Sequence, residues 1–340
     1  MEVSEKEIGN SIGNIGRGVK KSLVTKQTTI TPPKTLPKNI LSIIKNIEPY
    51  YITDYGVAFL GDTKELIKNI ESNSVNLIMT SPPFALRKKK EYGNVSPEEY
   101  VNWFKQFVNE FHRILTKDGS FVLDLGGGWV KGVPVRSTYN FQLLIELSNI
   151  FYFAQDFYWY NPAKLPTPAE WVTVRRIRVK DAVNTVWWFS KEPFPKADNR
   201  RVLQKYSDSM QNLLENGYKA KERPSGHKIS TKFQKDNEGS IPPNLIELAN
   251  TESNSYYLRS CREAGIKPHP ARFPKGLPEF FIKFLTDRND IVFDPFAGSN
   301  VTGKAAEDLK RHWISFEIVE EYLRGSKFRF KSVDPNRNKS

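Results

Sequence analysis

Four short apolar runs constrain this chain more than anything else in it: Val75-Asn76-Leu77-Ile78-Met79-Thr80, Ser120-Phe121-Val122-Leu123-Asp124-Leu125, Ile291-Val292-Phe293-Asp294 and Trp313-Ile314-Ser315-Phe316-Glu317. Each is rich in branched or aromatic side chains and stops at a turn, as a strand buried on both faces does. Helical patterns separate them. A strand from Val57 to Gly61-Asp62 leads into a short helix through Leu66 and Ile70. The spacing of Trp103, Phe104, Phe107 and Phe111 predicts a helix over 97–115 that begins after Ser96, with Glu98 and Glu99 in its first turn. Lys117-Asp118-Gly119 reads as the turn into the next strand. Further helices run through Phe280, Phe281, Phe284 and Leu285 and over 302–309. Strands alternating with helices give a mostly parallel sheet with helices on both faces, the α/β class.

The same alternation divides the chain. Residues 1–45 mix Gly, Ser, Thr, Pro and Lys without a period and read as a basic arm, with 331–340 as a tail. Periodicity also fades between Pro193 and Ile266, where turns such as Arg223-Pro224-Ser225-Gly226 and Ile241-Pro242-Pro243-Asn244 accumulate. This span, 193–266, reads as a loop-rich insert between an alternating part at 46–192 and another at 267–330. The formal net charge is +13, and residues 172–235 hold 15 basic against 6 acidic side chains. A surplus concentrated beside the insert points to a polyanionic partner, with nucleic acid leading. The single cysteine, Cys261, excludes a disulfide scaffold, and four scattered histidines give no zinc spacing, so no metal site is expected. No apolar run reaches the roughly 18 residues needed to span a bilayer, and the acidic N-terminus is unlike a signal peptide; the chain reads as soluble and cytoplasmic.

Two strand ends carry the chemistry. Asp294-Pro295-Phe296-Ala297-Gly298-Ser299-Asn300 follows one strand and opens a helix, where open α/β sheets bind ligands, and Glu317 ends the next strand 23 residues on, at a spacing that suits an acid accepting from a ribose. Gly298 to Lys304 spells G-x-x-x-x-G-K, but Ala305 replaces the magnesium-holding Ser or Thr, and Asn300 breaks G-x-G-x-x-G. A turn lacking the full phosphate-cradling glycines better suits a cofactor without phosphate, such as S-adenosylmethionine; the residues alone leave that reading open. Ser81-Pro82-Pro83-Phe84 ends another strand. Its prolines restrict the backbone and lack donors, so Ser81 and the Pro82 carbonyl are free to accept from an exocyclic amino group while Phe84 offers a stacking face. Such a constellation reads an amino-bearing base taken out of its helix.

On these motifs the chain resembles the amino-group DNA methyltransferases, in the permuted order with the catalytic motif ahead of the cofactor motif. The resemblance covers about residues 50–330. Ser81-Pro82-Pro83-Phe84 is similar to the catalytic motif of the cytosine-N4 members, and Phe293-Asp294-Pro295-Phe296-Ala297-Gly298-Ser299 to the S-adenosylmethionine loop. His269-Pro270-Ala271-Arg272-Phe273-Pro274 is similar to the element that completes the methionine pocket, which makes Phe273 a contact, and Asp62 matches the acid near the adenosine half. Tyr160-Asn161-Pro162-Ala163-Lys164-Leu165-Pro166, the run from Asp181 to Phe189, and Arg223-Pro224-Ser225-Gly226-His227 extend the match into the insert. Asn300 departs from the usual glycine, but Asn tolerates left-handed geometry.

The resemblance implies a Rossmann-like methyltransferase fold with a catalytic half at 46–192, a target-recognition region at 193–266 and a cofactor half at 267–330. It also implies methyl transfer to N4 of a flipped cytosine in double-stranded DNA, in a restriction-modification system and at CAGCTG as the leading site. Pairing with an endonuclease then needs no complex, and a monomer suffices, because a palindrome is modified one strand at a time. Asp124, ending its strand before three glycines, is the candidate to take the released proton through Ser81. Arg87-Lys88-Lys89-Lys90 follow the catalytic turn as phosphate contacts, with Arg175, Arg176, Arg178 and Lys180 in a similar role. Arg223, His227 and Lys228 are candidate base-edge readers. An adenine-N6 methyltransferase shares the geometry and is the nearest alternative, followed by an RNA methyltransferase and a non-catalytic DNA-binding protein that keeps the cofactor fold.

Overall fold

The computed structural model describes residues 38–85, 95–217, 235–252 and 254–333. Its strands are β1 (Tyr51–Ile52), β2 (Gly56–Leu60), β3 (Val75–Thr80), β4 (Leu115–Leu125), β5 (Gly128–Trp129), β6 (Arg136–Ser137), β7 (Tyr152–Tyr160), β8 (Val183–Ser190), β9 (Leu245–Glu247), β10 (Ile291–Asp294) and β11 (His312–Glu317). Apart from the small β5–β6 ribbon they form one nine-stranded sheet in the order β1-β2-β11-β10-β3-β4-β8-β7-β9. The run from β2 to β4 is parallel throughout, and β8 turns antiparallel to both of its neighbours.

Both faces are covered, and the alternation of side chains decides which residue goes where. Ile78, Phe121, Leu123, Phe189, Ile314 and Phe316 point to one face, under the helix Tyr100–Ile114 with its Phe104, Phe107 and Phe111. Leu77, Met79, Val122, Trp188 and Trp313 point to the other, under the helices Gly276–Leu285 and Val301–Asp308. Because neither face meets water, the strands read as continuous apolar runs.

Some boundaries differ from those the sequence suggests. The long helix starts at Tyr100, because residues 97–99 form a turn in which Ser96 accepts from the Glu99 amide. Lys117-Asp118-Gly119 lies inside β4 rather than before it. The β3–β4 register jumps from Val75↔Leu115 to Leu77↔Ser120, so the turn residues are absorbed as a bulge. Residues 38–45 do not belong to an arm, since Ile40 and Ile44 are buried in the core. The described parts of the loop-rich insert at 193–266 are tied to the rest: β9 joins the sheet beside β7, and the helix Tyr256–Glu263 packs on the C-terminal turn Lys327–Arg329. The apolar content of these pieces is too brief to announce a strand, and edge pairing supplies what local propensity lacks.

Candidate active site

Parallel strands end on one edge, so β2, β11, β10, β3, β4 and β7 all deliver their carboxyl ends there, and antiparallel β8 delivers its start. A cavity of about 430 Å³ opens along this edge. The glycine turn and Glu317 form one part of its wall, Ser81 to Phe84 with Asp124 another.

At the first part, Glu317 is 6% exposed, and its carboxylate accepts from the Gly298 amide at 2.7 Å and the Val319 amide at 2.8 Å. Burial pushes the carboxyl up to about 7, against those two hydrogen bonds, which favour the charge. Each oxygen keeps a lone pair for a hydroxyl donor. Gly298 takes φ +53, and a Cβ there would lie 3.1 Å from the His269 ring, so the turn needs glycine both for its conformation and for space. Burial also pushes His269 down to about 4, which keeps a neutral imidazole against the turn.

The amides that would cradle a phosphate are already used. Gly298 donates to Glu317, Asn300 to the Ala297 carbonyl, and Gly303 to Asn300 Oδ1. A buried carboxylate beside a polyphosphate would also repel it. A nucleoside cofactor without phosphate fits instead: Glu317 for ribose hydroxyls, with Pro295, Phe296, Phe273 and Ile318 as apolar walls. Asp62 lines the cavity as well, while capping the helix Thr63–Leu66 by accepting from the Lys64 amide.

Two residues expected among the cofactor contacts do not line the cavity. Asp294 accepts from Thr80 Oγ1 and Thr302 Oγ1, each at 2.7 Å, and from the Phe296 amide. It fastens the cofactor turn to the residue preceding Ser81 and thereby sets the spacing between the two motifs. Asn300 is fully buried in left-handed conformation; it caps the following helix and donates to Tyr51 Oη and Ser315 Oγ. Ser299 does line the cavity, and behind it Arg329, 7% exposed, donates to its carbonyl at 2.6 Å and its hydroxyl at 3.0 Å. Nothing in the local sequence marks Arg329, which lies 30 residues away.

At the second part, Ser81 donates to Asp124 Oδ2 at 3.0 Å, and Asn184 Nδ2 donates to Asp124 Oδ1 at 3.2 Å. Asp124 is 1% exposed, and burial pushes its carboxyl up to about 6, into the range of a usable base. Because Ser81 gives its proton to Asp124, its own lone pairs face outward as acceptors. Phe84 lies on the glycines after β4, where a Cβ on Gly126 would meet its ring at 2.6 Å. Trp159, Asn161, Lys164 and Asn184 complete this side from β7, its following loop and β8. Asn161, Lys164 and Asn184 fall in runs that resemble the family, but their shared place on the edge is what assigns them to the cavity.

Cys261 is buried against Tyr257 and Ile266, outside the cavity lining. Arg175, Arg176 and Arg178 are exposed on the loop after β7 and do not line the cavity. Arg175 pairs with Glu170 and lies 5.1 Å over the Trp171 ring, and Arg178 donates to the Pro134 carbonyl. Arg87, Lys88, Lys89 and Lys90, and likewise Arg223, His227 and Lys228, lie outside the described residues. Among the described residues no helix is long and apolar enough to cross a membrane.

Comparison with known proteins agrees with this geometry. The profile of the N6/N4 DNA methylase family matches residues 75–328. The type II methyltransferase M.PvuII of Proteus hauseri is 55% identical over 288 residues, covering 83% of this chain and 86% of that one. The solved PvuII DNA methyltransferase, described as cytosine-N4-specific, superposes with a TM-score of 0.70 at 48% identity over 86% of this chain and 92% of that one. A putative DNA modification methylase of Thermus thermophilus, solved with S-adenosylmethionine, shares the fold at a TM-score of 0.51 and 17% identity, over 83% of this chain and 96% of that one.

Proposed function

Because the chain belongs to the N6/N4 DNA methylase family, we propose that it methylates N4 of a cytosine flipped out of duplex DNA, as the modification enzyme of a type II restriction-modification system. The observation that carries this reading is the hydrogen bond from Ser81 to a buried, high-pKa Asp124 on the same cavity wall as Gly298 and Glu317.

S-adenosylmethionine, held by Glu317, Gly298, Ser299 and the Phe273 wall, supplies an electrophilic methyl when bound. The rest belongs to the protein. The lone pair on an aromatic amino nitrogen is delocalised into the ring and attacks poorly. Ser81 Oγ and the Pro82 carbonyl, which accepts no other hydrogen bond among the described residues, hold the two amino hydrogens and localise that lone pair. As the nitrogen becomes positive, a proton passes to Ser81 while Ser81 passes its own to Asp124. Asn184 holds the second carboxylate oxygen and fixes the direction of this relay. Phe84, backed by Gly126, offers the ring a stacking surface.

Duplex DNA is the partner in this reading, with phosphates gripped by Arg87 to Lys90 and the 175–178 loop, and bases read from within 193–266. CAGCTG is the proposed address. The protein acts as a cytoplasmic monomer beside an endonuclease that it need not bind. The test is to incubate the protein with plasmid and labelled S-adenosylmethionine, hydrolyse the DNA to nucleosides and identify the product by mass spectrometry. N4-methylcytosine is expected. N6-methyladenine as sole product overturns the chemistry, and N4-methylcytosine without protection at CAGCTG removes only the address.

A further inference from the structure

Sheet order separates the cavity's polar groups by kind. Along β11-β10-β3-β4-β8-β7, Glu317 and Gly298 lie to one side of Ser81, and Asp124, Asn184 and Asn161 to the other. Asn161 leaves β7 with its Oδ1 accepting from the amides of Ala163 at 3.1 Å and Asn250 at 3.2 Å. Two amides converging on one atom require it to be the oxygen, so the NH2 group of Asn161 is the side facing away from them. That NH2 donates to nothing among the described residues, although Asn161 is half-buried and lines the cavity. The donor opens on the cavity, where a ligand's acceptor can take it.

Lys164 stands on the same turn, fixed because its amide donates to the Asn161 carbonyl at 3.1 Å and its carbonyl accepts from Lys180 Nζ at 3.3 Å. Lys164 also lines the cavity; its ammonium makes no ion pair or hydrogen bond among the described residues, and its charge acts on Asp124, favouring the carboxylate. The wall therefore offers acceptors at Ser81 and Pro82, and two donors beyond them.

The pairing edge of cytosine runs donor, acceptor, acceptor, through its amino group, N3 and O2. Adenine presents donor, acceptor and then a C–H. We infer that the Asn161 amide and the Lys164 ammonium are the donors to N3 and O2, and that they select cytosine over adenine as the methylated base. The inference rests on Ser81 and Pro82 holding the amino group, as proposed above. With adenine one donor is left facing a C–H, the kind of mismatch that polar sites reject most strongly.

The test uses the full chain and short duplexes whose target position carries either cytosine or a 2-aminopyridine C-nucleoside. That analogue keeps the amino group and ring nitrogen and replaces the O2 carbonyl by C–H. Single-turnover methyl transfer from labelled S-adenosylmethionine is measured with enzyme in excess. Wild type should prefer cytosine on the order of 10²-fold. Asn161→Asp keeps the acceptor for both amides and removes the donor, and Lys164→Met changes an exposed side chain, so both variants should melt and bind S-adenosylmethionine as wild type does. In the double variant the cytosine preference should shrink to a few-fold, with Lys164→Arg on the Asn161 background retaining part of it. A double variant that keeps the preference, or that loses equally on both bases, overturns the inference. A wild type that transfers no methyl to cytosine instead overturns the proposed function itself.

Discussion

Replacing Asp124 by Asn separates the chemistry of this carboxyl from its cost to the fold. Asp124 is 1% exposed, and its carboxyl moves from the ordinary 3.8 to about 6 because burial penalises the charge more than Ser81 and Asn184 favour it. A pKa raised in the folded state means that the ionised carboxylate is the disfavoured form. The associated stability is fully present below the unfolded pKa and is lost as pH rises through the folded one. At about 1.36 kcal/mol per unit, the shift corresponds to roughly 3 kcal/mol of destabilisation above about pH 6. Asn carries no charge, but its hydrogen bonds to Ser81 and Asn184 are weaker, so the net gain should be about 1 to 3 kcal/mol near pH 8. At about pH 4 the gain should vanish. Urea denaturation of both proteins across this range measures it, and the unchanged carboxyls of Asp294 and Glu317, also raised by burial, cancel in the difference. Turnover should fall by about 10²-fold or more, since a positioned base contributes on that scale. The wild-type rate should rise with pH through about 6, and the variant should lose that limb. A variant that is less stable than wild type at pH 8, or that turns over normally, refutes the account of Asp124 as a strained base.

Ser81→Ala should keep DNA and cofactor affinity and lose on the order of 10²-fold in kcat, read by steady-state methyl transfer; near-normal turnover in a folded variant would remove Ser81 from the relay. Glu317→Gln should weaken S-adenosylmethionine by about 1 to 3 kcal/mol in calorimetry. Because the wild-type carboxyl titrates at about 7, wild-type affinity should weaken as pH falls through that value while the variant's stays flat. A pH-independent wild type would place the ribose elsewhere. Replacing Arg87, Lys88, Lys89 and Lys90 together by Gln should lower affinity for every duplex and flatten the salt dependence by up to about 0.9 per lost phosphate contact. A fall in selectivity at constant salt slope would make them base readers instead.

Two kinds of information meet in this molecule. The positions of β3, β10 and β11 were legible in the sequence because burial on both faces leaves uninterrupted apolar runs, and the turns after them stood out because proline and glycine are strong local punctuation. Ser81, Phe84, Gly298 and Glu317 were therefore found as residues ending strands. β9 and the burial of Ile40 and Ile44 were not legible, since three or four apolar residues specify nothing until a sheet edge or a core receives them. Asp294 was visible, but its partner Thr80 is 214 residues away, so a residue that ties the two motifs together looked like a ligand contact. Asn161, Lys164 and Asn184 lie in runs that resemble the family, but nothing local gives them a role, and Arg329 carries no local mark at all. What brought them to the cavity or beside its cofactor turn is the order and direction of the strands and the packing of the C-terminal turn. Both are set by hydrogen-bond ladders and contacts between distant segments. Residue type and local backbone preference are written in the chain itself, and they suffice to mark short segments that end at the cavity. Which side chains face one another across the cavity was settled by the fold, because strand neighbours are chosen by long-range pairing that no local pattern encodes.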